Sequence, residues 1–219
     1  MNKFALSLTA LALGVLVAPA FADYIPYGQV GHVASTNVVK STGTSLDVYF
    51  YGSSAADTDS IKVQDVTQGW TSGLILDNHT STVGEEYVFP TGSNQLHVGD
   101  TLVFYLVNQS THDTYSSDPA DSDDGYNHAY MTPYSATGPT AIPGIPPGMF
   151  VGFEDLYIGA NRDGVCSGEH NQSDCDYNDD EFVFVGVAPN PTPEPNSLAL
   201  LGTSILGVAG VVRRRFIKR

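Results

Sequence analysis

The sequence predicts an all-β domain, an antiparallel, jelly-roll-like β-sandwich with long acidic loops. Three observations support this fold class. Short segments alternate apolar and polar residues, or are rich in β-branched and aromatic residues, as strands are. Clusters of Gly, Pro, Asn, Asp and Ser separate these segments and predict turns. No core segment keeps a 3.6-residue apolar period over three turns, so we expect no long helix inside the domain.

The predicted strands follow one another along the chain. Residues 61–66 alternate strictly, as a half-buried strand does. Residues 101–107 form an apolar run of strand length, and the Gly99-Asp100 pair before it predicts a hairpin with residues 95–98. Residues 113–147 are acidic and then rich in Pro and Gly, which predicts a long functional or mobile loop. Further strands are predicted at residues 46–51, 85–89, 149–158 and 181–187.

Residues 1–22 have the order of a secretory signal peptide. Lys3 precedes an apolar run, and Ala20 and Ala22 occupy the two small-residue positions that a signal peptidase reads. We expect cleavage after Ala22, which makes Asp23 the first residue of the mature chain. An uncleaved membrane anchor is the alternative, but the apolar run is short for a membrane span.

The other end of the chain has three ordered parts. A Pro-rich linker over residues 189–196 contains Pro193, Glu194 and Pro195, an apolar stretch covers residues 197–212, and a basic cluster ends at Arg219. A helix of this length rises about 24 Å, and flanking arginines can close the gap to a hydrocarbon core of about 30 Å. The stretch therefore predicts a single hydrophobic transmembrane helix whose basic end stays in the cytoplasm. A buried core helix is the alternative.

These three parts resemble the PEP-CTERM sorting signal of Gram-negative bacteria. The resemblance implies export through the inner membrane and processing by an exosortase, a membrane protease-transpeptidase that cuts near Pro-Glu-Pro. The protein would then be released or re-attached at the cell exterior, after transient membrane anchoring. Such proteins often accompany exopolysaccharide or biofilm production, which makes exopolysaccharide an expected partner. The predicted organisation is a signal peptide at 1–22, a domain at 23–188, the linker, and a sorting tail at 197–219.

Removal of both ends reveals how acidic the domain is. Residues 23–192 contain only three basic residues, Lys40, Lys62 and Arg162, against 23 acidic ones, a formal net charge of −20. This charge argues against nucleic acid or an anionic membrane surface as a partner. Divalent cations would relieve the repulsion, whereas simple solubility of an exported acidic protein is the other explanation. Charge alone does not separate the two.

Two cysteines, Cys166 and Cys175, lie close together in the sequence. An exported location permits a disulfide between them. A zinc site with His170 is the alternative, but thiolate zinc sites normally contain more Cys or His residues. We therefore predict a disulfide.

The most informative stretch runs from residue 152 to residue 184. Two adjacent carboxylates follow Phe153, and a D-x-N-D cluster leads directly into an apolar strand. Calcium prefers six to eight oxygen ligands from carboxylates, amide carbonyls and the backbone. If the two segments are neighbours, a calcium site is predicted. Its candidate ligands are Glu154, Asp155, Asp176, Asn178, Asp179 and Asp180.

The same pattern carries a second resemblance. G-F-E-D-L, a spacer and then D-Y-N-D before F-V-F resemble DUF4114, a domain of unknown function of bacterial exported proteins, over residues 101–187. The D-G-Y-N-H-A element at residues 124–129 resembles another part of that family's pattern. The resemblance implies a β-sandwich with a calcium site at Glu154, Asp155, Asp176, Asn178 and Asp179. Asp180 and Glu181 depart from the pattern, since an apolar residue is usual after D-Y-N-D.

We do not expect this chain to be an enzyme. It contains no nucleophile elbow, zinc-protease helix or phosphate-binding loop motif. Glu154 and Asp155 are adjacent, so on a strand they would point to opposite faces, which disfavours a paired acid and base. The first hypothesis is therefore a non-catalytic, calcium-stabilised surface or matrix protein. The second is a carbohydrate-active module, either a calcium-dependent lectin or a glycan hydrolase.

Overall fold

The computed structural model describes residues 38–89, 95–158, 166 and 172–189. The predicted signal peptide with Ala20 and Ala22, and the predicted sorting tail with Pro193, Glu194 and Pro195, lie outside these residues. Within the described ranges, no helix is both long enough and apolar enough to cross a membrane. The predicted transmembrane segment at 197–212 also falls outside them.

The regular secondary structure of the described residues is almost entirely β-strand. One short 3-10 helix, Pro119–Asp121, interrupts them. The strands in chain order are β1 Val39–Ser41, β2 Asp47–Ser53, β3 Asp59–Asp65, β4 Trp70–Thr71, β5 Ile75–Asp77, β6 Glu86–Val88, β7 Thr101–Asn108, β8 Thr114–Ser116, β9 Ala129–Tyr134, β10 Gly148–Phe153, β11 Asp180–Val185 and β12 Val187–Pro189.

Two antiparallel sheets form a sandwich, which confirms the predicted fold class. The first sheet has the order β12-β1-β7-β3-β4, with β5 paired to β3 and β8 paired to β7. The second has the order β6-β2-β11-β10-β9. The central strands β3 and β11 carry the apolar positions that pack between the sheets, because side chains two residues apart share one face.

The main core lies between the two sheets. Phe104 of β7 stacks on Phe184 of β11 with ring centroids 3.9 Å apart, so the two sheets meet at this pair. Ile61, Val63 and Phe182 belong to the same buried cluster. This apolar layer ends near the last residue of β7 and the first residues of β3 and β11, where polar side chains replace it.

The outer face of the second sheet has its own apolar cover. Tyr49, Tyr51 and Phe150 are buried there with Ile145 of the loop before β10. The Tyr51 hydroxyl donates to the Thr140 carbonyl at 2.8 Å, which fastens this loop to the sheet. The segment predicted as one long loop at 113–147 is therefore structured: it contains β8, the 3-10 helix, β9 and this cover.

The hairpin predicted between residues 95–98 and β7 is wrong. Residues 95–98 form no strand; there, Val98 is exposed. Leu102 at the start of β7 already pairs with Val39 of β1 on one side and Asp65 of β3 on the other. Both edges of β7 are occupied at that point, so the preceding segment has no partner there.

Candidate metal centre

The loop before β11 folds into a series of tight turns. Cys175 and Tyr177 both have left-handed backbone angles, with φ of 59° and 58°. The Ser173 hydroxyl accepts from the Cys175 amide at 3.0 Å, and the Asp176 carboxylate accepts from the Asn178 amide at 3.2 Å. Such side chains compete with strand pairing for backbone donors, which explains why this segment is not extended.

The predicted disulfide is present and closes this loop. Cys166 and Cys175 are bonded, with Cα atoms 5.5 Å apart. Cys175 is buried in a small apolar cluster with Ile158 and Tyr177. The buried Cys175 therefore attaches its acidic neighbours, Asp174 and Asp176, to the body of the domain.

Glu154 joins the loop to the second sheet. It follows β10 directly and is 0 % exposed. One carboxylate oxygen accepts from the Tyr177 amide and the other from the Ser173 hydroxyl. Its own amide donates to the His128 carbonyl at 3.1 Å. The Glu154 carboxylate thus holds the loop in place through hydrogen bonds to residues on both sides of Cys175.

Three carboxylates converge at this point. One oxygen each from Glu154, Asp174 and Asp176 lies within 4.8 Å of the others, and the three can hold a metal ion. Asp174 is exposed, Asp176 is half-buried and Glu154 is buried, so the group spans the surface and the interior. Asn178 donates from its side-chain amide to Asp176 at 2.5 Å and fixes that carboxylate.

Burial and like charge raise the pKa values in this group. Burial, followed by the Asp179 carboxylate, raises the pKa of Glu154 to about 8. Burial and the Asp174 carboxylate raise the pKa of Asp176. A cation bound among these groups would favour their ionised forms and cancel the repulsion.

His128 and Asp124 anchor the backbone around Glu154. The His128 ring contacts the Asp124 carboxylate at 2.9 Å and the Glu154 carbonyl at 3.1 Å. Asp124 also accepts from the Ile158 amide at 2.9 Å. Burial opposes ionisation of Asp124, but the hydrogen bond and charge of His128, together with the backbone hydrogen bonds from Ile158 and Tyr126, outweigh burial and lower the pKa of Asp124. The D-G-Y-N-H-A element found in the sequence therefore serves to position Glu154.

The six predicted ligands divide among three places. Glu154 and Asp176 lie in the group just described, with Asn178 beside them. Asp155 and Asp179 instead line an open cavity of about 320 Å³ together with Asp57. Asp180, the first residue of β11, is buried next to Asp59. No single site collects all six residues.

Sequence reasoning missed three carboxylates. Asp174 lies two residues before Asp176 in a D-x-D pattern, a spacing that had been available as a signal. Asp57 lies in the connection between β2 and β3 and Asp59 begins β3, both more than 90 residues upstream of Glu154. The packing of the two sheets brings them close to the other carboxylates.

One comparison with known proteins gave a match. Residues 191–215 match the PEP-CTERM protein-sorting motif, which confirms that prediction. The motif marks an exported protein targeted to an exosortase-type enzyme and implies a transient C-terminal membrane anchor before processing. No curated protein matches the chain, and no solved structure matches it either. The resemblance to DUF4114 stays a prediction.

Proposed function

We propose that this chain is a non-catalytic protein of the cell surface or extracellular matrix, processed by an exosortase and stabilised by a structural calcium ion. The sorting motif at residues 191–215 carries the first part of the proposal. The convergence of Glu154, Asp174 and Asp176 carries the second. The family association of the sorting signal extends the proposal to exopolysaccharide or biofilm structure.

The donor set favours calcium over softer metals. All three converging groups are carboxylates, which suits a hard cation that prefers oxygen ligands. The cysteines of the loop are bonded to each other and offer no thiolate. Lys40 and Lys62 form no ion pair with a carboxylate among the described residues. No lysine of the described part therefore neutralises the group.

A structural role fits the position of Glu154. Its carboxylate is buried and both of its oxygens accept hydrogen bonds from the loop that carries the other two ligands. A general acid or base needs to reach a proton of the substrate, whereas this group faces its own backbone. Calcium would order the loop by binding the folded state alone.

Thermal unfolding of the full-length protein tests the calcium part. At about 100 times the dissociation constant, calcium adds about 2.7 kcal/mol, or about 5–10 °C in Tm for a domain of this size. Asp174→Asn should reduce this shift, because it removes one ligand of the ion. Asp118→Asn is the matched control, because it removes one charge elsewhere and Asn caps the 3-10 helix equally well. An equal Tm in calcium and in chelator would contradict the proposal.

Expression in a bacterium that carries an exosortase tests the processing part. The protein should lose its C-terminal segment, detected by intact mass, and Glu194→Ala should retain it. Retention of the tail by both proteins would contradict the assignment. Calcium-dependent glycan binding, or hydrolysis of exopolysaccharide by the purified protein, would instead favour the carbohydrate-active alternative.

A further inference from the structure

The end of the sandwich core presents acidic side chains from both sheets. In β3, Asp59 shares its face with Ile61 and Val63, which lie in the core between the sheets. In β11, Asp180 shares its face with Phe182 of the same core. Asp59 and Asp180 therefore point inward from opposite sheets and meet where the apolar layer ends. Asn108 of β7, paired with Asp59, completes this inward polar layer.

Asp180 has no hydrogen-bond partner despite its burial. It is 0 % exposed, and neither carboxylate oxygen meets a donor; the Oδ1 atom of Asp59, which is 1 % exposed, is also without one. The nearby Ser53 hydroxyl accepts from the Ala55 amide but does not reach hydrogen-bonding geometry with Asp180. Buried carboxylate oxygens without partners cost several kcal/mol, so a native protein rarely keeps three together.

Three more carboxylates surround this pair. Asp57, Asp155 and Asp179 line the open cavity of about 320 Å³. The Asn108 side chain donates to the Asp57 carboxylate at 2.9 Å and to the Asp155 carbonyl at 3.1 Å, and so holds both beside the pair. The Asp155 amide donates to the Asp179 carboxylate at 3.1 Å. Asp59 and Asp180 lie behind the cavity lining, close enough that Asp57 and Asp179 act on the carboxyl of Asp59 and Asp155 acts on that of Asp180.

Repulsion within this group is strong. Burial, followed by the carboxylates of Asp59 and Asp155, raises the pKa of Asp180 to about 10. Burial chiefly raises the pKa of Asp59 to about 7 as well. A proton shared by Asp59 and Asp180 would give a hydrogen-bond partner to two of the three unpartnered oxygens and leave the third without one. A cation would satisfy all three and ionise both groups.

We propose that Asp59 and Asp180 form the floor of a second divalent-cation site, with Asp57, Asp155 and Asp179 at its open side. The donor set is again oxygen alone, which suits a hard divalent cation such as calcium. This site is separate from the group of Glu154, Asp174 and Asp176, and it does not depend on the function proposed above. It links the two sheets directly, since Asp59 belongs to β3 and Asp180 to β11.

Calcium titration of the full-length protein by calorimetry tests this site. The unaltered protein should bind two calcium ions, and Asp180→Asn should bind one. Asp174→Asn should also bind one, but should keep the ion that Asp180→Asn loses. A second ion that persists in Asp180→Asn overturns the proposal, and so does a single ion in the unaltered protein that only Asp174→Asn removes. If Asp174→Asn binds like the unaltered protein, the first site fails while the second stands.

Two further measurements guard against a folding artefact. Asn is the neutral isostere of a protonated Asp180, so in chelator Asp180→Asn should melt at or above the Tm of the unaltered protein. Asp57→Asn alters only the half-exposed rim of the site. It should lower the affinity for one of the two calcium ions about tenfold, as expected for loss of one charged ligand. Unchanged affinity for both ions in Asp57→Asn would also overturn the second site.

Discussion

Gly152 is the point at which the fold of the second sheet sets the position of the acidic loop. It lies in β10, and a Cβ atom placed on it would lie 2.2 Å from the Tyr177 carbonyl oxygen and 3.3 Å from a Phe150 ring carbon. The Tyr177 backbone crosses the sheet at a distance that only glycine permits. Gly152→Ala should therefore push the loop off the sheet by about 1 Å, since non-bonded atoms need more than about 3 Å.

The cost of this shift follows from the contacts of Tyr177. Overpacking a rigid site costs about 1–3 kcal/mol. The displaced residue also donates its amide to Glu154, and a buried hydrogen bond to a carboxyl contributes about 1.5–3 kcal/mol. Because the loop can relax partly, only part of the overpacking cost and part of the hydrogen-bond energy are lost. We therefore expect the free energy of unfolding to fall by about 3 kcal/mol, or Tm by about 6–12 °C. Calcium affinity should fall as well, because Asp176 flanks the displaced residue.

Circular dichroism melts and calcium titrations of Gly152→Ala and Gly73→Ala give the comparison. A Cβ atom on Gly73 meets nothing within 4 Å, so this control should change Tm by no more than about 1–2 °C, as surface substitutions do. Equal melting temperatures and equal calcium affinities for the two variants would refute the close approach of Tyr177 to β10.

Three other outcomes are expected. Phe104→Ala should cost about 3–5 kcal/mol in chemical denaturation, because Phe104 stacks on Phe184 between the sheets; a loss below about 1 kcal/mol would contradict that packing. Replacing Cys166 and Cys175 by Ala should cost about 2–3 kcal/mol through the unfolded chain and should weaken calcium binding; unchanged values in both assays would contradict it. In chelator, Tm should fall as the pH rises from about 5 to about 8. The folded state raises the pKa of Glu154 from 4.5 to about 8, so its stabilising proton is fully held below the lower value and lost through the upper one. A Tm in chelator that rises over this range would contradict the burial of Glu154.

The fold class followed from local patterns because the interior strands either alternate apolar and polar residues or are continuously apolar. Residues 61–66, 101–107 and 181–187 were predicted as strands, and β3, β7 and β11 occupy nearly the same positions. These strands are central in their sheets, so burial imposes the pattern on their sequence. Strands β8 and β9 were not predicted, and both lie inside the predicted loop at 113–147. The sequence pattern of β8 is hard to recognise because the strand has only three residues, and that of β9 because it contains Pro133.

The candidate site was only partly predictable. Glu154 and Asp176 were identified because each lies beside a readable strand, but Asp155 and Asp179 were assigned to the same site and lie at the cavity instead. The prediction placed Asp176, Asn178, Asp179 and Asp180 at one site, as a regular backbone in this segment would allow. The left-handed angles of Cys175 and Tyr177 break that regularity and distribute neighbouring carboxylates to different sides of the loop.

The signal for the second site was present in the alternation itself. Extending the β3 pattern two residues upstream from Ile61 places Asp59 on the core face, and extending β11 back from Phe182 does the same for Asp180. An acid at an inward position destabilises a sandwich unless something compensates its burial. When two strands from opposite sheets both break the pattern at the same end of the core, one shared compensation is the simpler explanation. A bound cation would provide this compensation, because it stabilises both carboxylates at once. If packing were the only requirement, a hydrophobic pair at these two positions would have been sufficient.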